Sequence, residues 1–187
     1  TRDRWTYPAR LFLISCCLMG LLVAPSWASQ LGDKPVTAEF SAAMRAIAAM
    51  EPEEKIRNPD SLAKQFLSPG FWFWTALDDD YEKSKQFIKY YRVSSYYTAN
   101  ACTKHIVGIL ESAAGDGLQQ VVIIGAGLDS RAYRFQQQMP NISFFEIDLP
   151  AAGACKKDLV QNTLGKVPEM VTYVPADYRN GGIGDAL

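Results

Sequence analysis

At 187 residues, with 48% apolar and 21% charged side chains and a formal charge of −1, the chain is long enough for one domain with a real core and too apolar to be disordered. Without residues 1–28, where Arg2, Arg4 and Arg10 outweigh Asp3, the charge falls to about −3 with no basic stripe, which argues against a nucleic-acid partner. The cysteines and the single histidine argue against a disulfide framework and a metal site. Cys16 and Cys17 lie near the N-terminus, Cys102 and Cys155 stand far apart, and His105 has no acidic or thiol neighbour at ligand spacing.

In chain order, the first element reads as a signal-peptide-like leader over residues 1–28. Its arginines precede an apolar run over residues 11–23, and Ser26-Trp27-Ala28 offers small residues at the spacing a signal peptidase uses, with cleavage before Ser29. The run is short for a membrane span, so membrane contact would come only through an uncleaved leader. This segment points to export or membrane association.

Residues 37–118 carry helical spacing and read as a cap. Phe40, Met44, Ile47 and Ala48 share one helix face, and Ile106, Ile109 and Leu110 another. Pro52, Pro59 and Pro69 break the region into short helices, and Asn58-Pro59-Asp60-Ser61 reads as a turn leading into an N-cap before Leu62. Asp78-Asp79-Asp80 reads as a solvated helix start, and residues 51–55 as a solvated charged turn. The aromatic stretches Phe71-Trp72-Phe73-Trp74, Tyr90-Tyr91 and Tyr96-Tyr97 suit packing of the cap onto a sheet. Cys102 reads as a small buried helix residue, and His105 as a surface or packing residue near the start of a helix.

From residue 119 the period changes to strand, helix, strand, helix, strand: 120–124, 130–138, 143–147, 151–164 and 171–174, the last ending in Ala176-Asp177-Tyr178. Right-handed crossovers bring the strands' carboxyl ends to one edge, where open α/β sheets bind ligands, so Gly125, Asp148 and Asp177 should converge. Gly125 and Gly127 follow a strand of β-branched residues and allow a turn at positive φ or a close approach to a ligand. Asp148, about 20 residues on, is placed to accept hydrogen bonds from two vicinal ribose hydroxyls. Glu146 shares its strand face and competes, and two unpaired buried carboxylates would be too costly, so at least one must meet solvent or ligand. Asp177 suits an adenine amino group, with Tyr178 packing near the base. Ser130 stands where the dinucleotide fingerprint has its third glycine, which favours a cofactor without a diphosphate, such as S-adenosylmethionine (SAM), over a nicotinamide cofactor. A nicotinamide-dependent oxidoreductase is the alternative from another class.

The block from Gln120 through Gly125-Ala126-Gly127-Leu128-Asp129-Ser130-Arg131-Ala132-Tyr133-Arg134, followed by Phe145-Glu146-Ile147-Asp148-Leu149-Pro150 and Lys156, closely resembles the leucine carboxyl methyltransferase-like family of class I SAM-dependent methyltransferases. Met44-Arg45-Ala46, Asn58-Pro59-Asp60-Ser61-Leu62-Ala63 and Phe66 are similar to that family's N-terminal cap, and the resemblance runs from about residue 38 to residue 177. It implies an α/β, Rossmann-like fold, with a helical cap over 37–118 and the first half of a SAM-binding domain over 119–187. It also implies a methyl acceptor, a small molecule or a protein carboxylate, and a cytoplasmic setting. By position, Gly125 would line the methionine and ribose of SAM, Asp148 would hold the ribose hydroxyls, and Asp177 and Tyr178 would flank the adenine.

Two departures from the family accompany the resemblance. The family's Ala-Arg-Thr segment, whose arginine pairs with the SAM carboxylate, matches Ala101-Cys102-Thr103-Lys104 here, and a thiol cannot make that bidentate contact. Lys104 or Arg92 could reach the same group, but a lysine is a point charge without the planar fork. The family's sheet also has more strands than the three read here, so the chain reads as truncated, with an apolar edge where the next strand would pair. These departures suit a second alternative, a non-catalytic relic or interaction protein.

Overall fold

A computed structural model describes residues 11–15, 36–68, 80–91 and 93–177. Its elements are β1 (Leu11–Ser15), α1 (Val36–Ala49), a 3-10 turn (Ala63–Phe66), α2 (Tyr81–Tyr91), α3 (Val93–Gly115), β2 (Gln120–Ile124), α4 (Arg131–Arg134), β3 (Ser143–Asp148), α5 (Pro150–Leu164) and β4 (Val171–Pro175). The strands form one sheet in the order β1-β2-β3-β4, every neighbouring pair parallel. The registers Ile124↔Ile147 and Asp148↔Pro175 bring the carboxyl ends of β2, β3 and β4 to one edge.

β2 is a continuous apolar run because both of its faces are covered, as parallel strands require. Val121, Val122 and Ile123 are buried, and Phe144 and Ile147 of β3 extend the same core. Burial of each such side chain contributes about 1.5–3 kcal/mol. α5 starts on Pro150 at its first turn and stops at Gly165, whose φ of 78° supplies the left-handed cap. Both ends fall within a residue of the predicted span.

The structure corrects three expectations. The helix predicted over 130–138 is only Arg131–Arg134, followed by turns. Phe135 leaves it with φ of −86° and ψ of 0°, the bridge conformation in which a helix gives way to turns. α1 is buried well beyond the predicted face: Ala42, Ala43 and Ala46 join Met44, Ile47 and Ala48 in the core, while Phe40 is only partly covered. A helix enclosed nearly all round carries alanines where close neighbours leave no room for larger side chains.

The third correction concerns the sheet edge. Leu11–Ser15, within the apolar run assigned to the leader, lies parallel to β2 from Leu11↔Gln120 to Ser15↔Ile124. β2 is therefore paired along both edges, and the sheet has four strands, not the three predicted, with β1 and β4 at its ends. A short apolar run suits a strand as well as a leader, and periodicity does not separate the two.

Candidate functional site

The backbone turns at the end of β2 through two left-handed glycines, Gly125 at φ 64° and Gly127 at φ 44°. The N–H groups of Gly125 and Ala126 both donate to the Ile147 carbonyl, at 2.8 and 3.2 Å, which ties the turn to β3. The two glycines answer different demands. A Cβ on Gly125 would meet nothing within 4 Å, whereas one on Gly127 would lie 3.0 Å from Cβ of Ala38 in α1. Gly125 thus faces open space, and Gly127 makes room for the cap.

Asp148 closes β3 beside this turn. Its Oδ2 accepts the Gly127 N–H at 2.6 Å and its Oδ1 accepts the Leu149 N–H at 2.8 Å. Each oxygen keeps a further lone pair, and the side chain is half-buried rather than enclosed. It lines a cleft of about 220 Å³ between β3, α5 and β4, with Pro150, Lys157, Tyr173 and Pro175 among its walls. The Ala176 N–H donates to the Asp148 carbonyl at 2.8 Å, so the chain leaving β4 reaches the same edge and carries the half-buried Asp177 there. Gly125, Asp148 and Asp177 thus share one end of the sheet. Tyr178 lies outside the described residues.

Glu146 lines the same cleft but is paired within the fold. It is 2% exposed, its Oε2 lies 2.8 Å from Lys156 Nζ on α5, and it accepts the Tyr133 hydroxyl at 2.8 Å. Tyr133 in turn lies 2.8 Å from the Tyr173 hydroxyl. Burial pushes the Glu146 carboxyl above its ordinary range despite the lysine and tyrosine beside it, and pushes the Tyr173 hydroxyl up to about 12. The ion pair with Lys156 offsets only part of the cost of burying this carboxylate, since its Oε1 finds no hydrogen-bond partner among the described residues.

The residue types between Leu128 and Arg134 acquire roles that spacing alone did not assign. Asp129 and Arg131 form a buried pair at 2.5 Å. Burial acts to raise the Asp129 carboxyl, but Arg131, with Lys156 and Arg45 behind it, holds it well below the usual carboxylate range. Ser130 donates to Asp60, and Arg134 reaches the Pro59 carbonyl at 2.9 Å. Arg45, on α1, donates to Asp60 Oδ2 at 2.8 Å and to the Leu128 carbonyl at 2.7 Å. The N-cap of the 3-10 turn is Leu62 rather than a residue before it, and Asp60 accepts the Ala63 N–H at 3.0 Å and is also the centre of this seam. The available signal was a set of opposite charges in two blocks, Arg45 and Asp60 in one and Asp129, Arg131 and Arg134 in the other.

A family model described as leucine carboxyl methyltransferase matches residues 38–187. The chain belongs to the leucine carboxyl methyltransferase family. Its relatives include three proteins named "putative S-adenosyl-L-methionine-dependent methyltransferase". One, from Streptomyces coelicolor, is 32% identical over 118 residues, covering 62% of this chain and 38% of the relative. The Bacillus subtilis protein is 30% identical over 104 residues, or 54% of this chain and 33% of its own. The Mycolicibacterium smegmatis protein is 28% identical over 144 residues, or 77% and 48%. The chain spans between a third and a half of the length of these relatives.

Within the family frame, the cap residues take definite places. Cys102 is half-buried in α3 and not fully enclosed as expected. Lys104 donates to the Lys55 carbonyl in the cap turn, so it is committed away from the glycine turn; Arg92 lies outside the described residues. His105 is exposed in the middle of α3, not near its start. Asp80 opens α2 and accepts the Lys83 N–H at 3.1 Å, as a helix-start aspartate should. The turn over 51–55 is solvated except at Glu51, which is 8% exposed and accepts the Tyr81 hydroxyl. Tyr96 is buried but Tyr97 is 58% exposed, so only one of that pair serves packing. Residues 71–74, Asp78, Asp79 and the side chains of Tyr90 and Tyr91 lie outside the described part. Among the described residues, no three His, Cys, Asp or Glu side chains form a metal-ligand group, and no helix is long and apolar enough to cross a membrane.

Proposed function

We propose that this chain carries the cofactor-binding half of a SAM-dependent O-methyltransferase. The observation that carries this reading is the pairing of Asp148 with the Gly127 amide at 2.6 Å, beside open space at Gly125. A carboxylate oriented by two backbone donors, with lone pairs to spare and no cation claiming it among the described residues, is prepared to accept both hydroxyls of a ribose. Gly125 would border the methionine and ribose, Gly127 would hold the acid in place, and Asp177 with Tyr178 would flank the adenine. When bound, SAM supplies an electrophilic methyl group on a sulfonium. The residues of this chain would bind it, orient it and keep water from it, since in-line transfer depends on alignment.

The family frame supports a carboxylate, on a small molecule or a protein, as the acceptor. A carboxylate is already a nucleophile at neutral pH and asks for no general base, which agrees with a site edge without histidine. The SAM carboxylate lacks its family partner, because Cys102 replaces the arginine and Lys104 is turned to Lys55. Loss of that charge-assisted contact should cost about 1.5–3 kcal/mol, or roughly ten- to a hundredfold in affinity. Titration calorimetry of the chain with SAM and separately with NADH tests the reading. SAM binding that strengthens in Cys102→Arg is the expected result. Binding of NADH alone would overturn it in favour of an oxidoreductase, and binding of neither in favour of a relic.

A further inference from the structure

The glycine turn is held from two sides. On the sheet side, Gly125 and Ala126 donate to Ile147. On the cap side, Arg45 Nη2 donates to the Leu128 carbonyl at 2.7 Å while its Nε donates to Asp60 at 2.8 Å. Asp60, with 1% of its side chain exposed, also accepts the Ser130 hydroxyl and the Ala63 N–H, and Arg134 Nε donates to Ser130 Oγ at 2.9 Å. Asn58 fixes the approach of Asp60 by accepting its N–H at 2.9 Å and donating to Asn100 of α3 at 2.6 Å. Ala38 stands against Gly127 from the same side.

We infer that Arg45 and Asp60 are positioning residues, which clamp the helical cap onto residues 128–130 and thereby hold the Gly125–Gly127 turn in the conformation that presents Asp148. Glycine populates negative φ about as readily as positive φ, so two left-handed glycines separated by one alanine are held within the turn only by the hydrogen bond from the Asp129 N–H to the Ala126 carbonyl at 2.8 Å, among the described contacts. The contacts with β3 reach no further along the turn than the Gly127 amide. The carbonyl of Leu128 and the hydroxyl of Ser130 are its next anchors, and both belong to the Arg45–Asp60 pair. A turn fixed on both sides loses less entropy when a ligand arrives, which raises affinity without any contact between Arg45 and the ligand. The polar residues of the Asp129-Ser130-Arg131 and Arg134 block thus serve to join cap to sheet. Only the effect on SAM rests on the proposed function; the effect on the turn does not.

Arg45→Gln and Asp60→Asn remove each charge while keeping a polar side chain, and Arg45→Lys retains one charged contact of the two. Residue-resolved amide exchange is measured on the ligand-free chain, and SAM affinity is measured by calorimetry. In Arg45→Gln, the Gly127 and Asp129 amides should exchange about tenfold faster while β3 and β4 amides keep their protection, and SAM affinity should fall by about tenfold, with Arg45→Lys between variant and parent. Ser130→Ala, a milder cut in the same clamp, serves if Arg45→Gln does not fold and should show the same selective acceleration. Turn amides that keep their protection in a folded variant would overturn the inference. So would a uniform acceleration over cap, turn and sheet, which would mark Arg45 as a fold residue only. If the turn amides respond and the parent chain does not bind SAM, the clamp stands and the SAM reading falls.

Discussion

The edge of the sheet and the interior just behind it are both built from carboxylates, but they treat them differently. At the edge, Asp148 accepts two backbone N–H groups and no cation lies within ion-pair distance among the described residues. Behind it, Asp60, Asp129 and Glu146 are 2%, 5% and 2% exposed, and each is matched to a guanidinium or an ammonium. A charge removed from water must find an opposite charge within the fold or be neutralised. Glu146 and Asp148 make the contrast sharpest, since they leave one strand two residues apart. The two acids differ in their partners: Glu146 is paired with an ammonium, and Asp148 with backbone N–H groups.

Several substitutions should break this contrast if it is wrong. The largest effect is expected at the Glu146–Lys156 pair: Lys156→Met strands a buried carboxylate and should cost about 3–5 kcal/mol by urea unfolding, while the double variant with Glu146→Gln should recover most of that loss. A single-variant cost below about 1 kcal/mol would show that the pair is not what holds Glu146 inside. Asp129→Asn should cost about 3 kcal/mol at pH 7. Because Arg131 keeps the folded carboxyl below the ordinary aspartate value of 3.8, its stabilisation is complete above that pH and is lost as pH falls further, so variant and parent should converge on acidification.

Smaller effects should separate the two glycines and then isolate the edge. Gly127→Ala should destabilise by about 2 kcal/mol, combining left-handed strain with the Ala38 contact, and Gly125→Ala by about 1 kcal/mol from strain alone. In SAM affinity the order should reverse, because the open space lies at Gly125. Thermal unfolding and calorimetry on the same two variants check both orders. Asp148→Asn should change stability least, by about 1 kcal/mol or less, since one backbone donor keeps its acceptor. Its SAM affinity should nevertheless fall by roughly tenfold or more. An equal loss of affinity from Glu146→Gln in a stable fold would erase the distinction between the two acids.

Much of the edge was legible from local pattern. The apolar run at β2, the two glycines and the acid at the end of β3 come in close succession along the chain, and their order dictates a parallel strand pair with its carboxyl ends together. The span of α5 was legible for the same reason, with Pro150 and Gly165 punctuating it. The helix after Ser130 ends at Arg134, well short of the predicted 138, and nothing in the local sequence marks that earlier end. The extent of burial around α1 was missed, because an alanine-rich helix carries little sign of how many neighbours enclose it.

What the sequence by itself determined is the alternation of strand and helix from residue 119 and the three residues brought to one edge, Gly125, Asp148 and Asp177, since these come from short-range periodicity and the hand of the crossovers. It also carried the family, through one contiguous block. Tertiary structure alone decided which carboxylate is which. Glu146 and Asp148 have the same chemistry and share a strand face, and only the arrival of Lys156 from α5 and Tyr133 from α4 separates them. It likewise decided that Gly127 yields space to Ala38, while Gly125 yields it to the open edge, and that Arg45 meets Leu128 across 83 positions of the chain. Local pattern sets backbone direction. Pairing of buried charge depends on which distant elements come into contact.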